Sequence, residues 1–340
     1  MPDRVLLTGV SGFLGGHVAK ALLAADYQVR GSVRNLAKAD KVRETLAKAG
    51  AEVSRLEFVV LDLLKDDGWD AAAQDCRFLA HTASPFVLRM PTDKMDLIRP
   101  AIEGTERALN AGLKAGVERV VLTSSMAAIA YGHDKNRTAP FTAADWTELE
   151  GHGVSAYVES KTRAERRAWE IMKAAGREAD LAVINPSGIF GPLLDEDPGT
   201  SAQIVVRFLK GGVPAVPRLS FAFIDVRDVA AAHVAGLTAP SAGGHRFPLG
   251  ERNLTLLEFA NILRRRFPAY AAKLPRFELP NWAVRVYALF DAEVRSNLGE
   301  LGVVKKLDSR DAVALLGRGL IPAETAIVAT AESLIAYKLV

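Results

Sequence analysis

Tyr157 and Lys161 stand four positions apart in the helical stretch Ser155–Ala175, so a phenol and an ammonium share one helix face about a turn apart. A neighbouring cation stabilises phenolate and lowers the tyrosine pKa, which makes Tyr157 a usable proton donor or acceptor nearer neutrality. Ordinary surface helices carry the same spacing, so two further features give it weight. The first is Val120-Val121-Leu122-Thr123-Ser124-Ser125, an apolar strand running into hydroxyls. In an open α/β sheet ligands bind beyond the carboxyl ends of the strands, where Ser125 can donate to a carbonyl oxygen; serines at a strand end also satisfy local backbone groups. No Gly-x-Ser-x-Gly elbow surrounds them, which argues against a hydrolase nucleophile.

The second feature is Thr8-Gly9-Val10-Ser11-Gly12-Phe13-Leu14-Gly15, set between the apolar run Val5-Leu6-Leu7 and a helical pattern. Glycine permits the tight turn and close backbone approach, and the amides and dipole at the helix start stabilise a pyrophosphate. The spacing is G-x-x-G-x-x-G rather than G-x-G-x-x-G, so the strand-to-helix context carries the argument for a dinucleotide. The second strand ends at Arg34 and offers no carboxylate to an adenosine ribose. A guanidinium there pairs with a 2′-phosphate and stacks on adenine, which favours NADPH/NADP+ over NADH.

These residues need a frame. Strand-like runs near Val5–Thr8, Gln28–Val33, Phe58–Leu61, Phe78–His81, Val120–Thr123 and Leu181–Asn185 alternate with helical segments Phe13–Ala25, Asp40–Ala49, Ile98–Ala115 and Ser155–Ala175. Gly50, Gly116 and Gly176 serve as stops. The alternation predicts an α/β fold, a Rossmann-like doubly wound parallel sheet with a smaller, mostly C-terminal substrate-binding part. The NADP-binding domain would take residues 1–185 plus about 222–250, and the substrate-binding part about 186–221 and 251–340. After Asn185 proline and glycine become dense, which predicts irregular loops and small elements walling a pocket. Phe223–Val226, Asp228–Leu237 and His245–Leu249 read as a return to the main domain, and Leu256–Arg266 and Trp282–Phe290 as amphipathic helices. Phe86, Met126, Ile189, Phe221 and Tyr287 are candidate pocket walls, an apolar lining suited to aromatic or alkyl carbonyl compounds.

The 340 residues, 49% hydrophobic, suffice for a core larger than a minimal dinucleotide domain requires. A net charge of +3 from 43 basic and 40 acidic residues gives no reason to invoke nucleic acid. Cys76 is the only cysteine, which rules out an intramolecular disulfide and makes a reducing cytoplasm the default. No signal-type or bilayer-length apolar run is visible, and the histidines lack metal-ligand spacing, so the expectation is a soluble protein with a small-molecule partner, no membrane and no metal.

In their order along the chain, the glycine turn, Ser125, Tyr157 and Lys161 resemble an extended short-chain dehydrogenase/reductase over nearly the whole length. Val29-Arg30-Gly31-Ser32-Val33-Arg34, Leu61-Asp62-Leu63, His81-Thr82-Ala83-Ser84-Pro85-Phe86 and Asn185-Pro186-Ser187-Gly188-Ile189-Phe190-Gly191-Pro192 are similar to the dihydroflavonol 4-reductase and cinnamoyl-CoA reductase group. That group includes bacterial and yeast aldehyde or ketone reductases. The resemblance implies reduction of a carbonyl by NADPH, with Tyr157 protonating the oxygen, Ser125 polarising it, and Lys161 assisting Tyr157 and holding the nicotinamide ribose. It also implies cofactor contacts from Thr8, Gly9, Ser11, Gly12, Phe13, Leu14 and Gly15 in the turn, and from Arg34 and Lys41. Asp62 and Leu63 would meet the adenine, Thr82, Ala83 and Ser84 the ribose, with Pro186, Ser187 and Ile189 completing the set. The helix asparagine often used by related enzymes is missing from Pro100-Ala101-Ile102-Glu103-Gly104-Thr105, which leaves the usual proton relay open. A nucleotide-sugar epimerase or dehydratase, a hydroxysteroid dehydrogenase, and a non-catalytic NADP(H)-sensing regulator are the rival readings. Asp225, Arg227 and Asp228 read as an ion-pair network, Trp282, Tyr287 and Phe290 as core or pocket lid, and the two long helices fit a monomer or a homodimer.

Overall fold

Alternate residues of each central strand are buried on opposite faces of one sheet. Val5 and Leu7 join one apolar cluster and Leu6 the other; Val121 opposes Val120 and Leu122, and Ala182 and Ile184 oppose Leu181 and Val183. Burial on both faces is what a parallel sheet needs, and it accounts for the continuous apolar runs. The structure, a computed structural model, describes residues 2–85, 93–290, 295 and 298–340, so Phe86 lies outside the described residues.

The first half runs β1 (Arg4–Thr8), α1 (Phe13–Ala24), β2 (Gln28–Val33), α2 (Ala39–Lys48), β3 (Leu56–Val60), α3 (Trp69–Ala73), β4 (Phe78–His81), α4 (Met95–Ala115), β5 (Arg119–Thr123), α5 (Ala156–Ala174) and β6 (Leu181–Pro186). There follow β7 (Gly188–Phe190), α6 (Gln203–Lys210), β8 (Ala215–Pro217), β9 (Ser220–Asp225), α7 (Val226–Thr238), β10 (His245–Leu249), β11 (Arg252–Thr255), α8 (Leu256–Arg266), β12 (Phe277–Leu279), α9 (Asn281–Tyr287), α10 (Arg310–Leu316) and α11 (Ala323–Ala336). Seven strands form the main sheet in the order β10-β6-β5-β4-β1-β2-β3, parallel throughout. The order reverses between β1 and β4, which opens a crevice at their carboxyl ends, where such sheets bind nucleotides. This is the expected Rossmann-like architecture.

The segment after Asn185 holds small elements among its prolines and glycines: β7 pairs with β9, and β9 with β11, in a separate three-stranded sheet. Phe190 and Phe223 from that sheet and Phe259 from α8 stack with centroids 5.1 to 5.6 Å apart, so the second sheet has its own aromatic core instead of extending the first. The large aromatic residues of α9 and its end do not supply core. Trp282 is 70% exposed and Phe290, just beyond the helix, 84%, while Val284 and Ala288 turn inward. Among the described residues no helix is long and apolar enough to cross a membrane.

Candidate active site

The turn after β1 is shaped by backbone geometry. Gly9 has φ +74, and a Cβ on Gly15 would lie 2.0 Å from the Gly9 carbonyl oxygen, so a side chain at either position disturbs the turn. The Gly9 amide donates to Ser32 Oγ at 3.0 Å, anchoring the turn to β2. Gly12 begins α1 without a capping side chain, leaving the first-turn amides of Phe13, Leu14 and Gly15 to face the crevice; Ser11 and Gly12 are exposed. A pyrophosphate fits this cradle. Arg34 is exposed just beyond β2 and makes no hydrogen bond or ion pair among the described residues. Lys41 is exposed too, its ammonium 3.9 Å from Asp195.

Thr8, expected among the cofactor contacts, has its side chain engaged within the protein. It is fully buried, and its Oγ1 accepts the amides of Thr82 and Ala83, each at 3.1 Å. Its own proton therefore goes to His81 Nδ1 at 2.8 Å, while Thr82 Oγ1 donates to the Thr8 carbonyl at 2.6 Å. The side chain is committed to a clamp between the ends of β1 and β4, the strands that flank the crevice. Burial, reinforced by the charge of Lys161, pushes the His81 pKa down to about 3, so its imidazole is a neutral acceptor.

Ser125, Tyr157 and Lys161 converge beside that clamp. Ser155 caps α5 by accepting the Val158 amide at 3.3 Å, which fixes where the helix turns start. Ser125 follows β5, accepts the Ala127 amide at 3.1 Å, and hydrogen-bonds the Tyr157 side chain. Lys161 Nζ donates to Ser84 Oγ at 2.9 Å and lies 5.9 Å from the centroid of the Tyr157 ring. Burial lowers the Lys161 pKa to about 8, with Glu165 acting in the opposite direction. Burial raises the Tyr157 pKa, opposed by the Ser125 bond. The expectation of a tyrosine lowered by its lysine is thus reversed, because desolvation of the phenol outweighs a cation held over the ring and bonded elsewhere.

The remaining candidates are more scattered. Asp62 Oδ1 accepts the Leu64 amide at 3.0 Å, and Leu63 packs so tightly on α4 that a Cβ at Gly104 would lie 2.6 Å from its Cδ2. Pro186 ends β6, Ile189 pairs with Ile224, and the buried Ser187 hydroxyl has no partner among the described residues. Met126 packs, half-buried, against Ile129, Ala130 and Phe141. Phe221 and Tyr287, expected as pocket walls, are 41% and 56% exposed.

The sequence reading missed a polar wall beside Tyr157. Tyr131 is near enough for Tyr157 and Glu300 to oppose its ionisation, and burial pushes its phenol well above the usual range. Lys305 Nζ lies 4.4 Å from the Tyr131 ring centroid and pairs with Glu300. No local pattern links residues so far apart in the chain. The ion-pair reading of the other acidic cluster agrees with the geometry. Arg227 grips Asp225 at 2.7 and 2.9 Å, and Asp228 pairs with Arg318 at 2.6 Å.

Residues 5–250 match the NAD dependent epimerase/dehydratase family. A cinnamoyl-CoA reductase of Medicago truncatula is 36% identical, with 78% of this chain and 81% of that protein aligned. The NADPH-dependent methylglyoxal reductase of Saccharomyces cerevisiae is 33% identical, over 80% of this chain and 84% of that one. Among solved structures, yeast methylglyoxal/isovaleraldehyde reductase complexed with NADPH superposes with a TM-score of 0.81 at 28% identity, covering 98% of this chain and 99% of that one.

Proposed function

This chain belongs to the NAD dependent epimerase/dehydratase family, among the extended short-chain dehydrogenase/reductases that include cinnamoyl-CoA and methylglyoxal reductases, and we propose that it reduces an aldehyde or ketone to an alcohol with NADPH, and runs reversibly as an alcohol dehydrogenase. Held by the first-turn amides of α1, NADPH would supply the hydride that the carbonyl carbon takes up. Ser125 orients and polarises the carbonyl oxygen, and Tyr157 gives that oxygen its phenolic proton as negative charge develops. Burial keeps the phenol protonated at neutral pH but also makes it a weaker acid, a cost that the Ser125 bond and the cation of Lys161 must offset as the proton leaves. Lys161 carries the positive charge that compensates the phenolate left behind, and it holds the ribose hydroxyls from beside Ser84.

The first-turn amides of α1 take the pyrophosphate, and Arg34, with Lys41, takes the 2′-phosphate. Asp62, Leu63, Thr82, Ala83, Ser84, Pro186, Ser187 and Ile189 line the rest of the dinucleotide, the Ser187 hydroxyl with its hydrogen-bonding capacity free for it. Residues 1–185 with about 222–250 hold the cofactor, and the remainder shapes the substrate side. The observation that supports this reading most is the meeting of Ser125, Tyr157 and Lys161 at the carboxyl edge of β4 and β5.

The test is loss of NADPH absorbance, and separately of NADH, with purified protein and a panel of aryl aldehydes, ketones, diketones, cinnamoyl thioesters and a dihydroflavonol. Selective NADPH oxidation with one class supports the assignment and ranks the substrates. NADPH binding with no oxidation across the panel contradicts it.

A further inference from the structure

Tyr157, Lys161 and Glu165 occupy successive turns of one face of α5, and the last of them is a carboxylate only 1% exposed. Its oxygens are held on every side. Oε1 accepts Arg246 Nε at 2.5 Å and Trp169 Nε1 at 3.4 Å, and Oε2 accepts Ser124 Oγ at 2.5 Å and Asn185 Nδ2 at 2.7 Å. Arg246 is 7% exposed, donates to the carbonyls of Ala143 and Asp145 at 2.8 and 2.5 Å, and lies 3.8 Å from the Trp146 ring centroid. Such a pair contributes little net stability over an apolar pair of equal volume, because desolvation offsets the attraction.

Its position accounts for it better. A narrow pocket is lined by both Lys161 and Glu165, together with His81, Ser84, Thr123 and Ser124. The titratable groups around it are few. His81 from β4 is neutral, as is His233 from α7, whose Nδ1 donates to the Val229 carbonyl and whose Nε2 accepts from Thr123 Oγ1 at 2.6 Å. Tyr157 lies one turn before Lys161, and Arg246 from β10 stands on the other side of the carboxylate. Glu165 is therefore the anion that acts on the Lys161 ammonium. It also steadies the substrate side, since Ser124 and Asn185 both bind it and Asn185 Nδ2 donates to the Ser125 carbonyl at 3.3 Å.

We propose that Glu165 is a positioning residue for the carbonyl reduction, keeping the ammonium of Lys161 charged beneath Tyr157 and fixing, through Ser124 and Asn185, the segment that presents Ser125. This rests on the reading that Tyr157 and Lys161 carry the proton transfer. Arg246 tempers the carboxylate's field, so removing either partner of the pair displaces the ionisation of Lys161 in opposite directions.

The experiment is the pH profile of kcat for NADPH-dependent reduction in the wild type, Glu165→Gln and Arg246→Gln, each checked for folding by circular dichroism. The wild-type rate falls on the alkaline side as Lys161 loses its proton. Glu165→Gln moves that limb toward acid by about one pH unit, Arg246→Gln moves it toward alkali, and Arg246→Lys returns it to the wild-type position. General loosening of the structure gives no such opposed displacements. Limbs that stay in place while the rate drops uniformly, or does not drop, overturn the proposal. Should the pair variants fail to fold, Ser124→Ala removes one donor and spares the ion pair: an alkaline displacement supports the proposal and an unmoved limb overturns it. A wild type without carbonyl turnover removes the functional reading and this inference with it; an active wild type with unmoved limbs removes the inference alone.

Discussion

Arg34 extends an uncommitted guanidinium from the end of β2, so a phosphate that reaches it gains a charge-assisted bond without breaking another. Reversing that charge replaces attraction with repulsion at the 2′-phosphate and leaves the unphosphorylated ribose little affected. Arg34→Glu should weaken NADPH at least tenfold more than NADH in a fluorescence titration, since hydrogen bonds to charged groups contribute roughly 1.5–3 kcal/mol. An unchanged preference removes Arg34 as the selector. At this scale residue types and spacing were legible, but their electrostatics were not. The Tyr157–Lys161 spacing correctly puts both side chains on one helix face, while the direction of the tyrosine shift depends on burial that only the folded chain supplies. Glu165 left a readable sign, a third polar residue on that same face, and Arg246 another, a charge inside β10, the edge strand paired to β6.

On the proposed reading, the turn between β1 and α1 is the element on which cofactor binding depends most steeply. A Cβ at Gly15 meets the Gly9 carbonyl at 2.0 Å, a backbone atom that cannot rotate away. Gly15→Ala should cost about 1–3 kcal/mol of stability through overpacking and raise the NADPH dissociation constant by more than tenfold as the amides shift. Denaturant midpoints and a binding titration measure both, and an alanine tolerated in each contradicts the assignment of the turn. Elements with a strong apolar period were legible to within a few residues, because a parallel sheet buried on both faces writes its pattern into each strand. Helix α4 begins at Met95, earlier than its pattern suggests, and it runs through Pro100, which lies inside the helix and gives up an amide bond to the preceding turn. Strand β7 was hidden by its flanking Pro186 and Gly191; its pairing to β9 is a long-range contact with no local signature. Helix α9 misled in the opposite sense, since an apolar period locates a helix face and says nothing about what covers it.

Across the whole molecule, three buried histidines join elements that are distant in sequence. His81 ties β4 to β1, His233 ties α7 to β5, and His17 Nε2 donates to the Pro192 carbonyl at 2.9 Å, tying α1 to the segment after β7. Burial lowers His17 and His233 to about 4 and His81 to about 3. The unfolded chain takes up these protons near pH 6.5 while the folded chain refuses them, so acid favours unfolding below that value, until the folded-state values are reached. Stability should fall by up to about 4 kcal/mol per pH unit, about 1.4 for each histidine, as pH drops from 6.5 toward 4. Urea midpoints measured at pH 7, 6 and 5 check the slope; a flat profile over that range means that these imidazoles are not held neutral in the folded protein.

The most direct test of the account compares the wild type with Tyr157→Phe, using NADPH and a carbonyl substrate on which the wild type turns over. The variant keeps the ring and loses only the hydroxyl that bonds Ser125 and that the proposed mechanism makes the proton donor. The account predicts NADPH affinity within a few-fold of wild type and a rate of NADPH oxidation lower by roughly 10²–10⁴-fold, the range of general acid catalysis. Turnover equal to that of the wild type, with the cofactor bound as tightly, would contradict it.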